Sequence, residues 1–233
     1  MTRTTLMVLA VGALLALPQA SADGPWTVLP TGQAPVTRDM ARGPDTMLLQ
    51  SPNQVNGFFS DIGCGNCGGG VQIIGDNFVV STAGAGFTLD EISIWGGYFP
   101  GDVPTAAPFD IYVASDSSGQ PGPVVCSETG IMPTSDTLTG VTLFGVSEHL
   151  IQFNLTPCSL ADGTYWLYLY TDTGAGDDFF WETGSLDATN GVAGSVFTTQ
   201  NPPATWTADS DAELAVRITG TVVPVELQFF AVE

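Results

Sequence analysis

Hydrophobic and polar residues alternate in short segments along most of this chain of 233 residues. A period of two residues is typical of β-strands that bury one face. These segments are rich in β-branched and aromatic residues, and Gly, Pro, Asn or Asp separate them. We therefore predict strands over residues 71–80, 87–95, 109–115, 141–155, 164–171, 178–182, 194–198 and 213–221.

No segment carries the apolar stripe of an amphipathic helix. Eight strands without intervening helices predict an all-β fold, a two-sheet antiparallel sandwich of the jelly-roll kind. Side chains switch faces at every strand residue, so the alternation assigns an inward set: Ile111, Val113, Ile151, Phe153, Leu155, Leu167, Leu169, Leu214, Val216 and Ile218. The opposite set comprises Tyr112, Gln152, Asn154, Trp166, Tyr168, Tyr170 and Arg217.

The two ends of the chain have a different character. Residues 1–22 combine Arg3, a short apolar run and a final Ala-Ser-Ala, which together predict a cleavable signal peptide and a secreted, extracellular or cell-surface protein. Residues 23–45 predict an irregular leader, and residues 46–221 the sandwich domain. The apolar tail, residues 222–233, is expected to fold onto a sheet edge, to be recognised during export, or to add a strand to another copy.

The chain is strongly acidic, with 24 Asp and Glu against four Arg and no Lys, so its formal net charge is −20. This charge repels nucleic acid and anionic membrane surfaces, and we expect neither as a partner. No run of the mature chain is long and apolar enough to predict a membrane span.

Four cysteines in an exported chain favour disulfides, and three pairings are possible. We predict Cys64–Cys67 and Cys126–Cys158, the second joining two neighbouring strand ends. The Cys-Gly-Asn-Cys spacing also permits a redox-active or a zinc site. The glycines around it favour a structural disulfide in a loop.

Five segments together resemble a family: GDNFVV, ISIWGGYFPG, FDIYVASDSSGQPGPVV, LADGTYWLYLYT and AELAVRITG. Over residues 71–220 the chain resembles secreted bacterial β-sandwich proteins of unassigned role, and its VPVEL ending resembles their C-terminal sorting tails. The tail lacks the hydrophobic span and arginine cluster of the PEP type. The resemblance implies a jelly roll with an extracellular or cell-surface role, and it brings no catalytic residues.

One candidate binding site follows from the outward set. Trp166, Tyr168 and Tyr170 lie about 7 Å apart along one strand face, a spacing on which sugar rings can stack. Tyr112, Gln152, Asn154 and Arg217 would supply further contacts to a glycan. The alternative is that these rings pack under a second layer of structure.

Two acidic runs are candidate calcium sites, because Ca²⁺ prefers six to eight oxygen ligands. The first contains Asp172, Asp177 and Asp178, and the second Asp209, Asp211 and Glu213. Solvated turns are the alternative, since Asp favours turns.

Catalytic signals are sparse. His149 is the only histidine, and no Gly-x-Ser-x-Gly segment surrounds a serine. We therefore expect a non-catalytic exported module that binds glycan or another surface component. The alternatives are a structural subunit of a fibre or coat assembled through the C-terminal strand, and a calcium-dependent glycan hydrolase.

Overall fold

A computed structural model describes residues 25–28, 40, 42–43, 45–101, 107–174, 176–200, 205–209 and 212–223. The predicted signal peptide and all but the first two residues of the predicted tail lie outside these ranges, and both stay predictions. Within the described ranges, no helix is long and apolar enough to span a membrane.

The described residues form sixteen strands, which confirms the predicted all-β class. In chain order these are β1 (Thr27–Val28), β2 (Thr46–Gln50), β3 (Pro52–Phe59), β4 (Asp61–Cys64), β5 (Gly70–Val80), β6 (Phe87–Phe99), β7 (Phe109–Asp116), β8 (Pro121–Ile131), β9 (Ser135–Leu143), β10 (Val146–Leu160), β11 (Gly163–Thr171), β12 (Asp178–Gly184), β13 (Gly191–Thr198), β14 (Thr207–Asp209), β15 (Glu213–Leu214) and β16 (Val216–Val222).

Two sheets share these strands and pack face to face as a sandwich. The nine-stranded sheet has the order β1-β3-β12-β6-β10-β9, with β16 also paired to β6, β2 paired to β16, and β15 paired to β12. The seven-stranded sheet has the order β14-β13-β5-β4-β11-β7-β8, and β5 also pairs with β11. Nearly all pairings are antiparallel; the contact of β4 with β11 is parallel.

The core lies between the two sheets, and the prediction of its residues is confirmed. Nine of the ten predicted inward side chains are buried in one hydrophobic cluster, and Leu155 packs against that cluster while partly buried. Leu155 differs because β10 bulges away from β6 between Asn154 and Cys158. A bulge leaves its extra residues without partners and bends the strand.

Two strand predictions need correction. Residues 141–155 are not one strand: β9 ends at Leu143, and a turn through Phe144 and Gly145, both at positive φ, leads into β10. The strand predicted over residues 87–95 does not end at Trp95 but continues through the Trp-Gly-Gly-Tyr segment to Phe99 as β6. A Cβ on Gly96 would clash with the Phe180 carbonyl oxygen, so this glycine permits a close approach of β12.

Part of the predicted leader belongs to the sandwich. Strand β1 pairs with β3, and the Gln72 side chain makes two hydrogen bonds to the backbone of Trp26. The Trp26 N–H donates to Gln72 Oε1 at 2.6 Å, and Gln72 Nε2 donates to the Trp26 carbonyl at 2.8 Å.

Both predicted disulfides are present, Cys64–Cys67 and Cys126–Cys158. The second joins β8 of the seven-stranded sheet to β10 of the nine-stranded sheet. It therefore crosslinks the two layers at their edge.

Candidate functional site

The predicted aromatic row lies on the outer face of the seven-stranded sheet. Tyr112 and Tyr168 stack with ring centroids 4.9 Å apart, and Trp206 covers Tyr168 at the same centroid distance. Trp166 Nε1 donates to Asp116 Oδ1 at 2.8 Å. These contacts place the row in a small hydrophobic cluster outside the main core.

This cluster is closed to solvent. Trp166, Tyr168 and Tyr170 are only 2%, 4% and 8% exposed, and Tyr112 is partly buried. Burial, followed by the neighbouring Tyr112, raises the pKa of Tyr168 to about 12. The row is therefore an inner layer and not the exposed stacking platform that the sequence predicts.

The other predicted glycan contacts lie on the opposite sheet. Gln152 on β10 and Arg217 on β16 flank Ser93 of β6, and their side-chain nitrogens approach its hydroxyl at 3.3 and 2.9 Å. Asn154 is opposite Glu91, two pairs further along. These residues lie on the outer face of their sheet, as the aromatic row does on the other sheet. The hydrophobic core separates the two sets, so the structure does not bring the residues of the predicted site together.

The first predicted calcium run is engaged with backbone amides. Asp172 Oδ1 accepts the Gly174 N–H at 3.1 Å, and Asp177 Oδ1 accepts the Gly101 N–H at 2.7 Å. Asp side chains in turns commonly accept such hydrogen bonds from backbone N–H groups.

Asp178 organises the Cys-Gly-Asn-Cys loop. Its buried carboxylate accepts the backbone N–H groups of Gly65 and Asn66 at 3.0 and 2.6 Å. Burial raises the pKa of this carboxyl, while these bonds oppose the rise. Cys64 and Cys67 are themselves buried, which fits a structural disulfide better than a redox-active one.

The second run is only partly described. Glu213 Oε1 accepts the Gly194 N–H at 2.8 Å, Asp209 ends β14, and Asp211 lies outside the described ranges. Among the described residues, no group of three or more His, Cys, Asp or Glu side chains is arranged to hold a metal ion. Calcium binding stays a prediction for the part of this run that the structure leaves out.

His149 faces inward on β10 and is 4% exposed. Its Nδ1 lies 2.6 Å from Asp136 Oδ1 on β9, and its ring meets Tyr98 edge-on at 5.3 Å between centroids. The histidine thus connects Asp136 on edge strand β9 with Tyr98 on the central strand β6.

A buried polar cluster, which the sequence-based expectations do not include, lies between the sheets. Asp76 sits on β5 at an inward position between Ile74 and Phe78 and is 2% exposed. Its Oδ2 accepts Gln50 Nε2 at 2.7 Å and the Leu214 N–H at 2.6 Å. Asp76 therefore ties the two sheets together through hydrogen bonds.

We expect Asp76 to make stability fall as the pH rises. Burial, and after it the carboxylate of Glu213, raises the pKa of Asp76 well above its usual range. A raised pKa means that the folded state holds the proton more tightly than the unfolded state. The contribution of Asp76 to the free energy of unfolding is therefore largest below the unfolded-state pKa of about 3.9 and declines as the pH rises towards the folded-state pKa. Melting temperatures of Asp76→Asn should decline less between pH 5 and 8 than those of the wild type.

Asp162→Asn is the control for this measurement. Asp162 is exposed, and hydrogen bonds from Thr82 and Gly84 lower its pKa, so it is ionised above pH 5 in both states. Its variant should keep the wild-type pH dependence over pH 5–8. Parallel curves for the wild type and Asp76→Asn would contradict the role given to Asp76.

A groove of about 170 Å³ opens beside the Cys126–Cys158 disulfide. Its apolar lining comes from both sheets and comprises Leu89, Ile111, Val113, Leu155, Pro157 and the disulfide itself. Ser127, Glu128 and Thr156 complete the lining. Ser127, Thr156 and Pro157 are exposed, so the groove reaches the surface.

Edge strand β8 borders this groove and is irregular. Its register on β7 shifts between Val113 and Ala114, which leaves Val125 without a partner and 45% exposed. Bulges and the prolines at 121 and 123 protect such an edge from adding another strand. The bulge of β10 forms the other side of the groove, and neither bulge has a periodic signal in the sequence.

Comparison with protein-family models, with curated proteins and with solved structures finds no match. A fold by itself does not define an activity, because function depends on the residues of particular sites.

Proposed function

We propose that this protein is an exported, non-catalytic β-sandwich module that acts outside the cell by binding an extracellular or cell-surface component. The groove beside the Cys126–Cys158 disulfide is its contact site. The observation that carries this proposal is the groove itself, an apolar concavity that reaches the surface where the two sheets meet.

The compartment in this proposal rests on the cysteines. All four are in disulfides, and such bonds persist in oxidising surroundings such as those outside the cytoplasm. The sequence of residues 1–22 supports the same location.

Several features favour the groove over the aromatic row as the contact site. The row is buried under Trp206, whereas apolar side chains of β8 that precede the groove residue Cys126 in the chain are in contact with water. Val124 and Val125, which directly precede Cys126, are 49% and 45% exposed. Exposed apolar groups beside a concavity are typical of binding surfaces.

A matched pair of variants tests this proposal. Val125→Asp places a charge on β8 at the residue before Cys126, which lines the groove, and Val55→Asp places the same charge on β3, at a residue that is 49% exposed. Neither side chain is in the core, so both variants should fold. We expect the wild type to bind a member of a panel of immobilised glycans and extracellular polymers, and Val125→Asp to weaken that binding at least tenfold while Val55→Asp leaves it unchanged.

An equal loss in both variants would overturn the groove as the contact site. A wild-type protein that binds no member of the panel would overturn the binding function. Assembly through the C-terminal strand stays a separate prediction, and the net charge of −20 on each copy opposes it at low salt.

A further inference from the structure

The groove combines an apolar lining with a single carboxylate. Glu128 lies on β8 within the lining, and its Oε1 accepts the Thr156 N–H at 2.8 Å. A carboxylate has about four lone-pair sites, so this one bond leaves most of its accepting capacity unused.

No cation of the described chain lies against this carboxylate. Arg42 pairs with Asp187, with nitrogen and oxygen 2.7 Å apart. Arg217 approaches Glu91 at 3.5 Å. These are the only two arginines in the described ranges, and the chain has no lysine. A carboxylate beside apolar surface is stabilised by an opposite charge, which a cationic ligand would supply here.

The size of the groove sets the apolar part of that ligand. A cavity of about 150 Å³ lined by aliphatic side chains holds one benzene molecule. The groove, at about 170 Å³, therefore accommodates one ring or a short alkyl group.

We propose that the groove binds an organic ammonium group carried on an apolar body of about one ring, with the body against Ile111, Val113 and Leu155 and the ammonium beside Glu128. This inference rests on the proposed function, because it names the chemistry recognised at the same site. The acidity of the whole protein raises the local concentration of cations and so assists their capture.

Three probes of similar size and different charge test this assignment. These are 2-phenylethylammonium, the neutral 2-phenylethanol and the anionic phenylacetate, each titrated into the full oxidised protein while amide chemical shifts are followed by NMR. The ammonium should shift the amides of Ser127, Glu128 and Thr156. It should bind about fivefold more tightly than the alcohol, as expected for a partly exposed ion pair, and phenylacetate should give no saturable shift.

A pair of variants separates the local carboxylate from the overall charge. Glu128→Gln and Glu91→Gln each remove one negative charge, and glutamine at position 128 can still accept the Thr156 N–H. Glu128→Gln should reduce the preference for ammonium over alcohol to about onefold, whereas Glu91→Gln should keep it near fivefold.

Equal binding of the ammonium and the alcohol by the wild type would overturn the inference, as would equal effects of the two variants. These results are distinguishable from failure of the proposed function. If Val125→Asp abolishes binding to an extracellular component while the ammonium shows no preference, the contact site stands and its assigned chemistry is wrong.

Discussion

Replacing Cys126 and Cys158 together by alanine is expected to lower the free energy of unfolding by about 3.5 to 4 kcal/mol. The disulfide closes a ring that spans residues 126–158, and in the loop-entropy description a ring of this length stabilises by that amount. Urea denaturation of the oxidised wild type and of the double variant measures the difference, and circular dichroism follows the loss of strands.

The Cys64→Ala/Cys67→Ala variant provides the comparison. Its ring is much smaller, with a sequence separation of 3. The same description gives about 2 kcal/mol for this bond. If both double variants lost the same stability, ring length would not be the source of the stabilisation, and the crosslink between the sheets would have no special weight.

Trp181→Ala is expected to lower the free energy of unfolding by about 3 to 5 kcal/mol, the usual range for removing a large buried aromatic side chain. Trp181 is fully buried in the main core, where β12 faces the seven-stranded sheet. Its Nε1 donates to the Ala215 carbonyl at 2.8 Å, and alanine would leave that oxygen without this donor.

Trp206→Ala is the matched variant outside the core. Trp206 is 8% exposed and packs on Tyr168 in the outer cluster. Because it covers one side of that cluster and fills no space between the sheets, its loss should cost clearly less than the loss of Trp181. A larger loss for Trp206→Ala in chemical denaturation would contradict the assignment of the main core to the space between the sheets.

The sequence was sufficient to predict the class of fold and most of the core, because a strand must place alternate side chains on opposite faces. Leu167 and Leu169 show this directly: their alternate positions along β11 predict burial, and both lie in the main cluster. The same alternation along β5 places Asp76 on the inward face between Ile74 and Phe78. The alternation along β5 therefore contains a signal for a buried carboxylate.

The alternation of side chains along a strand carries limited information, and this explains why the predicted glycan site is not formed. It tells which face of a strand a residue occupies, but not which sheet the strand joins or whether another layer covers that face. Gln152 and Trp166 have outward positions on different sheets. The position of Trp206 over Tyr168 depends on β14, a three-residue strand with no periodic pattern of its own.

The groove was beyond prediction for a related reason. It forms where β10 bulges after Asn154 and where β8 slips on β7. Both irregularities interrupt the alternation from which strands are predicted. The Cys126–Cys158 pairing marks the place in the sequence, but the concavity depends on how the two sheets close around that bond.

The bond between Cys126 and Cys158 also changes how the chain responds to mechanical force. A pull applied at the two ends of the polypeptide cannot extend the segment between these cysteines, because tension passes through the sulfur atoms instead. With a sequence separation of 32 and at most about 3.5 Å of extension per residue, roughly 110 Å of contour length is withheld. Strand β9, the turn after it and most of β10 therefore stay in a covalent loop that the pull cannot extend.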